Sequence, residues 1–173
     1  MSTVQIQNQQ NNLFWIEKIK KCLNDGQLTI YFQAIKNIKT QQIQKYEVLA
    51  RILTEDNEII MPNVFLKPLA ISGMLTIFTK MIIEKAFEFI SNKDIMITIN
   101  ITGEDFKENY LVDFLERKSK EYNIKPSRVV LEILESVSMI SEETVLLQLK
   151  ELKALGYKLA IDDFGAENSN FSR

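Results

Sequence analysis

The run IMITINITGEDF at residues 95–106, with VVLEIL at 129–134 and GYKLAIDDFG at 156–165, decides how this chain folds. Each segment reads as an aliphatic, β-branched strand. Each closes on an amide or a carboxylate: Asn100, Glu132, and Asp162 with Asp163. Between the first two, Phe106, Tyr110, Leu111, Phe114 and Leu115 recur at helical spacing, and the pattern predicts one helix over 105–122. Thr102 and Asp105 have capping-box spacing at its start. A second helix, over 142–155, opens on acidic residues and stops at Gly156. Strand and helix therefore alternate from residue 95 onward, the signature of a parallel sheet with helices packed outside.

Upstream the pattern differs. Residues 27–35 and 43–53 read as strands, and the short link between them leaves no room for a helical crossover, so they should pair antiparallel. Pro62–Ile71 and Leu75–Ile90 read as helices, the second carrying an apolar stripe through Ile77, Phe78, Met81, Ile82 and Phe89. Phe14, Ile16, Ile19 and Leu23 suggest a short helix ended by Asn24-Asp25-Gly26. The Gln/Asn-rich residues 1–12 are expected to be a flexible tail, leaving one domain over 13–173.

The whole-chain numbers narrow the chemistry. With 173 residues, 46% of them hydrophobic, there is material for one sizeable core. A net charge of -2 argues against a protein that coats nucleic acid or an anionic membrane. No transmembrane or leader-like run is visible. Histidine is absent, which removes Ser-His and Cys-His nucleophiles and histidine metal sites together. Cys22 is the single cysteine, which excludes an intramolecular disulfide and fits a reducing cytoplasm. Any metal must then rest on oxygen ligands, as Mg2+, Mn2+ or Ca2+ do.

Glu47, Asn100, Glu132 and Asp162-Asp163 are placed where hydrophobic burial alone would not put them. A lone Glu in a strand is ordinarily a solvent-facing residue, and a lone Asn a strand-end turn residue. A buried carboxylate without a partner costs several kcal/mol, so the ordered set calls for a cation or strong hydrogen bonds. Parallel barrels gather the carboxyl ends of their strands on one face, where active sites lie, and oxygen donors from several strands on one rim suit a two-metal hydrolase.

The same segments resemble the EAL family of cyclic-di-GMP phosphodiesterases. Glu47-Val48-Leu49 within YEVLAR stands for the naming motif, with Val in place of Ala; IYFQAI resembles the family's YQPI, NIT at 100–102 its NLS, LEILES its LEITES, and IDDFG its DDFG. The resemblance implies a TIM-like (β/α) barrel, truncated, with the first strand antiparallel to the second. It implies that Glu47, Asn100, Glu132 and Asp162 hold one divalent ion and Asp163 helps hold another. The ions are Mg2+ or Mn2+, with Ca2+ as an inhibitory substitute. Gln33 and Arg51 are implied to contact the substrate, Arg51 through a phosphate, which its planar guanidinium suits. The implied reaction is hydrolysis of cyclic-di-GMP to linear pGpG in the cytoplasm.

Glu167 and Asn168 depart from the small residues usual after DDFG, and a later Lys and Glu of the family have no counterpart before Arg173. This chain is therefore expected to be inactive by itself. Open strand edges suggest a homodimer or a domain-swapped oligomer. The alternative is a degenerate module that binds cyclic-di-GMP or a protein without catalysis.

Overall fold

The computed structural model describes residues 3–134 and 143–162, the side chains of 3–10, Leu134 and Asp162 excepted. Helix α1 (Thr3–Asn24) leads into strand β1 (Leu28–Lys36), whose hairpin partner is β2 (Ile43–Leu53). The turn is built by Asn37, whose side-chain oxygen accepts from the backbone N–H of Lys39 and Thr40, and the pairing is antiparallel as expected. A two-residue strand β3 (Ile59–Ile60) adds to the end of β2, and helices α2 (Pro62–Ile71) and α3 (Leu75–Ile90) follow.

Strand β4 (Ile97–Ile101) begins the regular part. It is followed by α4 (Gly103–Lys107), α5 (Leu111–Glu121), a 3-10 turn at Pro126–Arg128, β5 (Val129–Leu134), α6 (Glu143–Ala154) and β6 (Lys158–Asp162). The sheet order is β1-β2-β4-β5-β6, with β2, β4, β5 and β6 mutually parallel. Among the described residues the sheet ends at β1 on one side and β6 on the other. No described helix is long and apolar enough to cross a membrane.

Side-chain alternation divides the sheet into two faces. Val48, Ile52, Ile97, Ile99, Ile101, Leu131 and Ile133 are buried on one of them. They belong to the same core as Phe65, Leu69, Phe78, Ile83, Phe87, Phe106 and Leu115 from the helices. Burying a side chain of this size contributes about 1.5–3 kcal/mol, so this layer carries the fold. Arg128 secures its lower end, donating to the carbonyls of Ile95 (3.0 Å), Ile90 (3.1 Å) and Lys93.

One element is longer than expected and one is divided. The short helix expected around 14–23 extends back to Thr3, so that α1 takes in the Gln/Asn-rich segment. Gln has good helix propensity, and adding turns to a helix already nucleated over 13–24 costs little. The helix expected over 105–122 is two helices, interrupted at 108–110 where Asn109 takes a left-handed φ of 48°. Asn tolerates that conformation, and the break places the Tyr110 hydroxyl 2.6 Å from Asp105.

Candidate active site on the open face of the sheet

The second face is set by strand register. Gln33 pairs with Glu47 and Thr29 with Arg51; Glu47 pairs with Thr98, and Asn100 with Glu132. Register partners project to the same side and residues two apart share it. Gln33, Glu47, Arg51, Asn100 and Glu132 therefore lie on one face, opposite the helix-covered one. Asp162 closes β6 across from Leu134, two residues beyond Ala160, which is the register partner of Glu132. Its side chain, and the whole of Asp163, lie outside the described residues.

Glu47 and Asn100 are brought together from positions 53 residues apart: Asn100 Nδ2 donates to Glu47 Oε1 at 3.4 Å. Glu132 is half-buried on the next strand. Arg51 Nη1 donates to the Ala50 carbonyl at 2.7 Å, and its guanidinium sits 5.7 Å from the centre of the Tyr31 ring. Gln33 is exposed on β1 beside this pair. Tyr31 was not singled out from the sequence, although its place two residues before Gln33 puts it on the same face.

Thr98 was missed as well. It is fully buried, registered with Glu47, and its Oγ1 has no hydrogen-bond partner among the described residues. Also missed was the weight carried by Asp105, read from the sequence only as a helix cap. Its carboxylate is fully buried, accepting from the Thr102 N–H (2.8 Å), the Thr102 hydroxyl (2.7 Å), the Thr79 hydroxyl (3.2 Å) and the Tyr110 hydroxyl. Burial, reinforced by the Asp105 carboxylate, pushes the Tyr110 hydroxyl pKa well up, so it stays a donor.

The donor set can be tested against a divalent cation. Glu47, Asn100 and Glu132 offer only oxygen ligands once the Asn100 amide turns its carbonyl inward, as a hard ion requires. Among the described residues no three Asp, Glu, Cys or His side chains gather closely enough to hold a metal. The described set contains an amide in place of a third acid, and Asp162 and Asp163 contribute no described side chain. Glu47, Asn100 and Glu132 thus fit as part of an oxygen-ligand site that needs further donors.

A cavity of about 320 Å³ opens beside Asn100, between β2, β4 and the helices, lined among others by Val48, Leu49, Phe65, Phe78 and Thr102. It lies where the β2–β4 ladder ends. That ladder consists of Tyr46↔Ile97 and Glu47↔Thr98 alone.

A parallel sheet with oxygen donors and an arginine on the face turned away from its helices defines a barrel-type α/β protein with a polar strand-end site. The chain belongs to the EAL domain family, whose model matches residues 16–173. It is 26% identical over 164 residues to the cyclic di-GMP phosphodiesterase PdeB of Shewanella oneidensis, covering 91% of this chain and 19% of that protein. The EAL enzyme Bd1971, solved with cAMP and cyclic-di-GMP bound, superposes with a TM-score of 0.85 at 23% identity, over 95% of this chain and 46% of that one. The YkuI protein of Bacillus subtilis, solved with cyclic-di-GMP and calcium, superposes with a TM-score of 0.71 at 26% identity, over 84% of this chain and 38% of that one. The chain thus spans about a fifth of the length of the curated relatives it matches, 19% and 22% for the first two. The EAL-type α/β fold, with its first strand antiparallel to the second, is as expected.

Proposed function

We propose that this chain carries the cation- and phosphate-binding side of a metal-assisted hydrolase that opens cyclic-di-GMP to linear pGpG. The observation that carries this reading is the meeting of Asn100 and Glu47 at 3.4 Å, with Glu132 on the neighbouring strand and Gln33 and Arg51 on the same face. Family membership supports it. In this reading Glu47, Asn100, Glu132 and Asp162 hold one ion and Asp163 helps hold a second. Bound Mg2+ or Mn2+ supplies Lewis-acid charge at the scissile phosphate, and Ca2+ occupies the same ligands without supporting turnover. Arg51, backed by the Tyr31 ring, presents its guanidinium to a phosphate oxygen, and Gln33 offers an amide beside it.

The 173 residues hold no histidine, so proton transfer in this reading rests on carboxylates, amines or water. We infer that these 173 residues alone bind the dinucleotide without turning it over. The setting is cytoplasmic, which the free, buried Cys22 suits. Among the described residues β1 and β6 have no partner on their outer sides, which favours self-association into a dimer or swapped oligomer.

The test is a titration of fluorescently labelled cyclic-di-GMP in Ca2+, beside chromatography for pGpG in Mg2+ or Mn2+. Saturable binding is expected, weakened about tenfold or more by Arg51→Ala and by Glu47→Gln, since hydrogen bonds to charged groups are each worth roughly 1.5–3 kcal/mol. Binding that is absent, or indifferent to both substitutions, sinks the proposal. Appearance of pGpG in Mg2+ sinks the inference of silence.

A further inference from the structure

Asp105 lies outside the donor set of the sheet face, yet its bonding exceeds what a helix cap needs. Helix α4 is only five residues long. A cap exchange at such a start requires one acceptor for the Thr102 N–H. Here the carboxylate is wholly buried and draws in the Thr79 hydroxyl from α3 and the Tyr110 hydroxyl from the residue preceding α5. Taking a carboxylate out of water costs several kcal/mol unless its lone pairs are filled. This one is filled by neutral donors from three separate segments.

Thr102 stands two residues after Asn100, at the end of β4. On the β5 side that strand end is held by the ladder through Asn100↔Glu132 and Ile101↔Ile133. On the β2 side the ladder has already stopped at Glu47↔Thr98, and the 320 Å³ cavity takes its place. Residues 100–102 thus lack a backbone partner on the side from which Glu47 approaches. The Asp105 carboxylate supplies the missing anchor by tying Thr102 to α3 and to Tyr110.

We propose that Asp105 is a positioning residue that sets Asn100 against Glu47 across the opened β2–β4 seam. The proposal deepens, and in its functional sense rests on, the reading of that pair as cation ligands.

The test uses the full chain with Asp105→Ala and Asp105→Asn, and Ser119→Ala as a control that removes a buried hydroxyl bonded to Tyr157 instead. One readout is the Asn100 side-chain amide signal in the metal-free protein by 1H–15N NMR. The other is Mn2+ affinity, followed by EPR. Asp105→Ala should displace the Asn100 signal and weaken Mn2+ binding about tenfold, the usual scale for outer partners of a ligand, while Asp105→Asn, which keeps an oxygen acceptor for Thr102, stays within about threefold. Ser119→Ala should leave the Asn100 signal in place. A signal unmoved by Asp105→Ala overturns the proposal whatever Mn2+ does. A wild-type chain that takes up no Mn2+ overturns the cation reading instead, because the metal-free signal still judges Asp105. Should Asp105→Ala not fold, Thr79→Val and Tyr110→Phe remove the donors singly; no displacement of the signal in either overturns the proposal.

Discussion

Strand β4 faces two neighbours and is held by them in different ways. Toward β5 the ladder runs the full strand, from Ile97↔Val129 to Ile101↔Ile133. Toward β2 it ends after Glu47↔Thr98, and a cavity opens beyond. The closed seam takes its geometry from backbone hydrogen bonds, which hardly depend on side-chain identity. The open seam must be held by side chains, and the candidate site residues Glu47 and Asn100 face each other across it. Precision at the site therefore depends on particular residues at the place where the backbone has stopped supplying it.

The sharpest test of that contrast uses one strand and one residue type. Ile99 and Ile101 are both 1% exposed, but only Ile101 lines the cavity. A side chain that borders a void has fewer packed neighbours to lose. Ile99→Ala should cost about 4 kcal/mol and Ile101→Ala about 2, within the range seen for buried Ile truncations. Urea unfolding of the two variants measures the difference. Equal losses, or the reverse order, would mean that the two seams are equally packed.

A smaller effect is expected from the clamp at the lower end of β4. Arg128 donates to carbonyls of Ile90, Lys93 and Ile95, which join the end of α3 to the approach to β4. Its side chain is half-buried, so water can replace part of what is lost. Arg128→Ala should cost about 2 kcal/mol, on the scale of hydrogen bonds to a charged group. Because the clamp lies at the opposite end of β4 from Asn100, the proposed cyclic-di-GMP binding in Ca2+ should be unchanged once the protein is folded. A binding loss matching the stability loss would show that the lower end of the strand also sets the site.

The same contrast explains what could be read in advance. The five longer strands and the antiparallel pairing of the first two were legible because strand composition and the short link depend on local sequence, whereas the two-residue β3 was not. The shared face of Glu47, Asn100 and Glu132 followed from strand ends in a parallel sheet. The break at Asn109 was not legible, since the apolar spacing runs on through it and only the fold shows the Tyr110 hydroxyl reaching Asp105, itself bonded to Thr79, 26 residues away. Asp105 looked like a cap because Thr102 is its nearest partner in sequence, and nothing local announces the other two donors. Thr98 looked like an ordinary strand residue, because an orphaned hydroxyl is visible only once its surroundings are known.

Thr98 also yields the smallest and most discriminating prediction. Its hydroxyl is fully buried, registered with Glu47, and without a partner among the described residues. Leaving a buried hydroxyl unsatisfied costs about 1–3 kcal/mol, whereas replacing it by a methyl of the same shape removes that cost. On structural grounds alone Thr98→Val should therefore leave stability unchanged or raise it by up to about 1 kcal/mol. The variant should show this in urea unfolding without added cation. A loss of stability would mean that the hydroxyl is hydrogen-bonded in solution, with ordered water entering the open seam as its partner. In that case the region beneath Glu47 is wet rather than dry, and the contrast between the two sides of β4 extends down to the last residues they still share.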